Sequence, residues 1–247
     1  MHNRSFNLSK AIILFLFAGL LAQKVFSGKI YDYIAPKFSW MAVLAIVVFL
    51  FMAASYAINP TEHGEHGSDE EVEHGHNHKL SKWSLIAVCV PIIIGWVIPA
   101  QPVGAGQVAN QGISTDMSAP IVDLQSSLTI IPAERNILDW VRAIGAAADP
   151  AALNGQKANV IGFVYRDARF TGDQLMVARF AVTCCVADAR ALGLVVETPD
   201  ASQYATGAWV KVSGSFIEGV LGSNPIPVIQ PDSIKPVDQP DQPYLYP

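Results

Sequence analysis

No histidine follows His78 in this chain of 247 residues, and that absence excludes more chemistry than any motif in the chain suggests. Beyond residue 78 it removes serine–histidine and cysteine–histidine mechanisms, because neither nucleophile has its base. Cysteine is nearly as scarce. Three cysteines, two of them adjacent, cannot build the disulfide framework of a small secreted domain. There is no Cys-x-x-Cys redox pair, no Gly-rich phosphate loop ending in Lys-Ser/Thr, and no dinucleotide fingerprint. Charge is thin as well: 15% of residues are charged and the net charge is −5. That balance carries no electrostatic footprint for nucleic acid. With no catalytic constellation left, the chain is expected not to be an enzyme.

What is present in excess is apolar surface. Hydrophobic residues make up 51% of the chain, too many for an ordinary soluble protein, and the excess lies in the first hundred residues. A membrane anchor followed by a soluble domain accounts for this. Three spans are expected, at about 11–26, 38–58 and 83–100. The first opens with the apolar run Ala11–Ala22, short of the roughly twenty residues a span needs, and resumes at Val25-Phe26. A cleaved signal peptide is its alternative reading, disfavoured because no small-x-small cleavage site comes after it. The second is uncharged and bounded by Trp40 and Tyr56, residues that suit the membrane interface. The third contains Pro91, which a membrane helix tolerates as a kink. Arg4, Lys10, Lys79 and Lys82 share one side, against Lys24, Lys29 and Lys37 on the other. The positive-inside rule then places the N-terminus inside and the C-terminal domain outside, in a multi-pass cell-membrane protein in contact with lipid.

Between the second and third spans, residues 59–82 hold five of the six histidines and six carboxylates. His63, His66, His74, His76 and His78 stand at His-x-His and His-x-x-His spacings beside acidic residues. Imidazole and carboxylate suit a borderline cation such as Zn²⁺, but without the fixed spacing of a structural site they imply weak, exchangeable binding. A plain solvated acidic linker is the alternative.

Residues 101–120, rich in Gly, Ala, Gln and Ser with one charge, read as a flexible tether. The soluble domain is then 121–247. Ile121–Leu124 reads as a short strand and Pro132–Ala148 as a helix with Ile137, Leu138, Val141 and Ile144 on one face. Two strands flank a turn at Thr171-Gly172-Asp173. Leu192–Glu197, Trp209–Glu218 and Ile226–Ile234 come next, the last placed at an edge by Pro227. The helix and the five short strands that follow it predict a small mainly-β domain, an OB-like barrel, with Gly162 and Gly214 mid-strand where a barrel bends. A β-sandwich is the alternative. Arg179 shares a strand face with Val177 and Ala181, so it needs a partner or water.

Cys184 and Cys185 sit at the end of that strand, three residues before Asp188. Neighbours in a strand point to opposite faces, so both sulfurs reach one place only if the strand bulges or ends there. Three readings stay open: a buried structural cysteine, a thiolate–carboxylate metal site built from Cys184, Cys185 and Asp188, and thiol redox chemistry.

Gly162-Phe163-Val164-Tyr165-Arg166-Asp167, Ala178-Arg179-Phe180, Cys184-Cys185-Val186-Ala187-Asp188-Ala189, Trp209-Val210-Lys211-Val212-Ser213-Gly214 and the terminal Pro243-Tyr244-Leu245-Tyr246-Pro247 together resemble the YcgQ-type family of bacterial membrane proteins. Arg166, Asp167 and Arg179 belong to that motif set. The resemblance implies the second component of a two-part permease working beside a larger multi-span membrane partner, and a connection to zinc limitation. The function expected is therefore an accessory permease subunit handling a transition-metal cation such as zinc. A membrane-tethered ligand-binding or sensor domain and a thiol-redox membrane protein are the alternatives.

Overall fold

The computed structural model describes residues 2–58, 82–98, 101–111, 134–147, 149–166 and 168–247. The chain divides into two compact units, Met1–Gln101 and Pro102–Pro247.

The first unit is helical: α1 (His2–Phe26), α2 (Trp40–Ile58) and α3 (Lys82–Val97). Gly28, at φ 72°, lets the chain leave α1, and two 3₁₀ turns, Lys29–Asp32 and Pro36–Phe38, lead into α2. Asn7–Phe26 and Pro36–Ile58, 20 and 23 residues, are long and apolar enough to cross a membrane. Over the described residues the third expected span is a helix of 16 residues, Lys82–Val97, with Ala87–Val97 as a shorter apolar stretch. Pro99 suits its end, because the residue before a proline is driven out of helical geometry. Inside the unit α1 packs on α2, with the Phe17 and Phe49 rings 6.1 Å apart and Ala11, Ala18, Ala42 and Ala53 buried. On α3, a Cβ at Gly95 would come within 2.9 Å of Leu20, so glycine permits that close approach.

The second unit is mainly β. Its elements are α4 (Ala105–Gln111), α5 (Ile137–Ala146), β1 (Lys157–Tyr165), β2 (Gln174–Ala181), β3 (Arg190–Glu197), β4 (Trp209–Leu221), β5 (Asn224–Pro236) and β6 (Tyr244–Leu245). They form one six-stranded sheet in the order β1-β4-β5-β3-β2-β6, with β1 also paired to β2. The partner change on β1 happens at one place. Lys157–Phe163 pairs with β4 and Phe163–Tyr165 with β2. Beside that junction a Cβ on Gly162 would lie 2.5 Å from the Ala178 carbonyl oxygen, so only glycine fits. Gly214 likewise sits at the register shift between β4 and β5, where a Cβ would run into the Gln230 carbonyl oxygen. A single register pair, Val196 with Ile229, joins β3 to β5. The result is a six-stranded sheet with one weak seam, not a barrel laddered all round.

β5 is not the edge strand expected from Pro227. It pairs along its whole length with β4 and touches β3 at that one register, which leaves its other flank open enough for prolines. α5 begins at Ile137 rather than near Pro132. Asn136 caps it by accepting from the Asp139 N–H at 3.1 Å, while the Asp139 carboxylate accepts from the Asn136 N–H at 3.1 Å. Two apolar clusters cover the two faces of the sheet. One gathers Ile137 and Trp140 of α5 with Val164, Val177, Val212 and Phe216, the Trp140 and Phe216 rings 4.7 Å apart. The other joins Phe163, Met176, Phe180 and Tyr244 to Val108 of α4. The stretch read as a tether is thus, over its described part, a helix seated on the β unit. Apolar Val103, Ala105 and Val108 pack there, and the Val103 N–H donates to the Tyr244 hydroxyl at 2.8 Å. The expected strand Ile121–Leu124 lies outside the described residues.

Candidate metal-binding turn

β2 ends at Ala181, and the chain then enters a tight turn instead of continuing as strand. The Val182 N–H donates to the Leu245 carbonyl at 2.9 Å, which pins the last extended residue to β6. Thr183 and Cys184 are exposed, Cys185 is half-buried, and Val186–Asp188 form a 3₁₀ turn that runs into β3. Val186 packs on the second apolar cluster and anchors the turn from below.

The organising group is the Asp188 carboxylate. Oδ1 accepts from the Thr183 N–H at 2.8 Å; Oδ2 accepts from the Cys184 N–H at 2.7 Å and the Cys185 N–H at 3.2 Å. Three consecutive amides converging on one carboxylate curl the backbone, as charge-assisted bonds at a helix N-terminus do. Side chains that would alternate in a strand are thereby brought to one side. The two sulfurs and a carboxylate oxygen all lie within 4.8 Å of one another. Thiolate sulfur and carboxylate oxygen are both zinc ligands, and three protein donors leave a coordination position open. The donor set fits a thiophilic cation.

The other residues singled out from the sequence fall elsewhere. Arg179 donates through Nε to the Pro243 carbonyl at 3.2 Å and through a terminal nitrogen to the Gln242 carbonyl. Its guanidinium lies 5.9 Å from the centre of the Trp209 ring. Burial pushes its pKa down, with Tyr246 opposing that shift. Arg179 therefore latches the C-terminus, where Tyr244 and Leu245 pair in parallel with Phe180 and Ala181. Arg166 donates to the Tyr204 carbonyl at 2.8 Å and holds the loop before β4. Asp167 and all five loop histidines, His63, His66, His74, His76 and His78, lie outside the described residues. Sequence reasoning missed the latch itself. Its signal was the aromatic end Tyr244-Leu245-Tyr246, which has no period to read.

Residues 10–114 match the DUF1980 N-terminal domain and residues 108–247 the DUF1980 C-terminal domain. The chain belongs to the DUF1980 family. Its C-terminal domain as matched begins at Val108, within α4, in keeping with the packing of that helix on the β unit. The chain is also similar to the UPF0703 protein YcgQ of Bacillus subtilis (strain 168), 26% identical over 99 residues. That match covers 39% of this chain and spans 35% of the length of the relative. Arg179, Phe180, Trp209 and Tyr244 thus meet in one latch, and Cys184 and Cys185 with Asp188 in the adjoining turn.

Proposed function

We propose that this DUF1980 protein is an accessory subunit of a membrane permease complex and handles a thiophilic transition-metal cation such as zinc. The observation that carries the reading is the convergence of Cys184, Cys185 and Asp188 in a solvent-facing turn, in a chain with helices long enough to cross a membrane. Two or three helices with almost no internal charge make a poor ion pathway by themselves, so a multi-span partner supplies it. In this reading α3 is the third span, short and kinked at Pro91, and the β unit lies outside the cell membrane. The β unit is an OB-type barrel, for which the ring of pairings β1-β4-β5-β3-β2-β1 speaks. The histidine loop serves as a weak, multivalent reservoir. No step requires catalysis by this chain.

Zinc titration in reducing buffer tests the cation half. The full chain, a deletion of residues 62–78 and a Cys184→Ser/Cys185→Ser variant are compared. The deletion should lose several weak sites, whose occupancy falls as imidazoles protonate below pH about 6.5. The double serine variant should lose the one strong site. Equal binding by all three sinks the cation reading. Co-purification in mild detergent tests the partner half. A chain that stays alone while the neighbouring multi-span protein is present counts against a permease subunit and favours a tethered binding domain.

A further inference from the structure

The three candidate ligands are not equivalent. A carboxylate has about four lone-pair positions, and the Asp188 group spends three of them on the Thr183, Cys184 and Cys185 amides. Oδ2 alone holds both cysteine N–H groups. Pulling it onto an ion would release the amides that bring the two sulfurs together. The Asp188 N–H donates to the Cys185 carbonyl at 3.0 Å with the Cys185 side chain beside it, an arrangement that thiolate ligation leaves in place, and Cys184 is exposed to solvent.

We infer that Cys184 and Cys185 form a two-thiolate site for a zinc-class cation in which Asp188 builds the turn without ligating, so that the remaining positions are open to a ligand from a second molecule. The inference rests on the cation reading above and deepens it: the site is one of exchange, not storage. Loading is a ligand substitution. Each thiol gives its proton to the buffer as its sulfur–metal bond forms, and no electron moves. Discharge replaces those sulfurs by donors of the acceptor through a mixed complex that the open positions permit. A closed four-ligand protein site would forbid that complex. Asp188 then acts as the outer support that orients the ligands, a role whose loss commonly costs 10–100-fold in affinity without changing the ligand set.

The test uses the full-length protein in mild detergent and reducing buffer, with Co²⁺ alone as the coloured stand-in for Zn²⁺. The sulfur-to-cobalt charge-transfer absorbance at saturation counts thiolates. Cys184→Ser and Cys185→Ser should each lower it by about half. Asp188→Asn should bind roughly 10–100-fold more weakly, yet keep the wavelengths and intensities of the cobalt d–d bands, which report the whole ligand set including any oxygen donor. Adding glutathione to the loaded wild-type protein should raise the absorbance as a third thiolate enters. Should Asp188→Asn fail to fold, amide exchange of residues 183–185 in the wild-type protein decides: their protection should persist when Zn²⁺ binds. Shifted or altered d–d bands in Asp188→Asn, release of those amides on loading, or indifference to glutathione each overturns the inference and leaves the cation reading standing. Undiminished Co²⁺ binding by the double serine variant sinks both.

Discussion

Phe51 in α2 is 76% exposed, whereas Phe216 in β4 is fully buried against Trp140. The same contrast holds across each unit. In the helical unit Phe15, Val47 and Val97 face outwards and the buried positions are mostly alanines. In the β unit Val164, Leu175, Val177 and Val212 are inside. Both use the hydrophobic effect, but with opposite faces. A contiguous apolar exterior of that kind is uncommon on a water-soluble monomer and suits contact with lipid or other helices. Apolar content alone says little until one knows which way it points.

Substitutions at the two phenylalanines should show the largest difference between the two units. Phe216→Ala removes a ring packed on Trp140 and should cost about 3–5 kcal/mol, read as a lowered unfolding midpoint in near-ultraviolet circular dichroism of the full chain in detergent. Phe51→Ala should leave that midpoint in place. Equal losses at both positions would mean the exterior of α2 is packed against protein in a way its exposure does not convey.

Gly→Ala sharpens the contrast by changing sign. At Gly162 the added carbon would lie 2.5 Å from the Ala178 carbonyl oxygen and 2.9 Å from Val177, and the β unit should lose about 1–3 kcal/mol or more. At Gly19 in α1 nothing lies within 4 Å, so alanine should be neutral or favourable by up to about 1 kcal/mol through helix propensity. Thermal unfolding of the two variants, followed by the same dichroism and by far-ultraviolet signal, separates the outcomes.

The two units were also unequally legible. β4 could be read directly from its alternation of Val210, Val212 and Phe216 with Lys211, Ser213 and Ser215, because one face is wet. β2 is buried on both faces, so its strand character rested on composition; the turn at Thr171-Gly172-Asp173 pointed to its antiparallel pairing with β1, as found, but its pairings with β3 and β6 could not be read. The two-residue β6 offers no period, and the hydrogen-bond partners of Arg179 lie more than sixty positions away. The cysteine turn was half legible. That both sulfurs needed the strand to end was a matter of strand geometry, but three amides on one carboxylate is a backbone fact. At α5, Pro132 drew attention away from Asn136 and Asp139, whose spacing is the true start signal. Asn136→Ala should therefore cost about 1 kcal/mol, seen as a small fall in the same unfolding midpoint. No change would mean packing of Ile137 and Trp140 alone fixes the helix start.

The smallest effects test whether surroundings also govern charge. Lys157 and Asp232 approach to 3.9 Å on the β unit, with side chains 76% and 67% exposed. Water and salt screen such a pair, so Lys157→Ala should change stability by less than about 0.5 kcal/mol. In the helical unit the Lys10 ammonium stands 5.4 Å from the centre of the Tyr56 ring, joining α1 to α2. An ammonium over a ring is attracted to it by about 0.5–1 kcal/mol, and by more as water is removed. Lys10→Ala should thus weaken the α1–α2 pair more than Lys157→Ala weakens the β unit. The Lys10 effect should also be less sensitive to salt than an exposed ion pair. Denaturant titrations at two salt concentrations, with Lys10→Met as a control that keeps most of the stem, measure this directly. If Lys10→Met matches the wild-type protein, the stem and not the charge makes the contact.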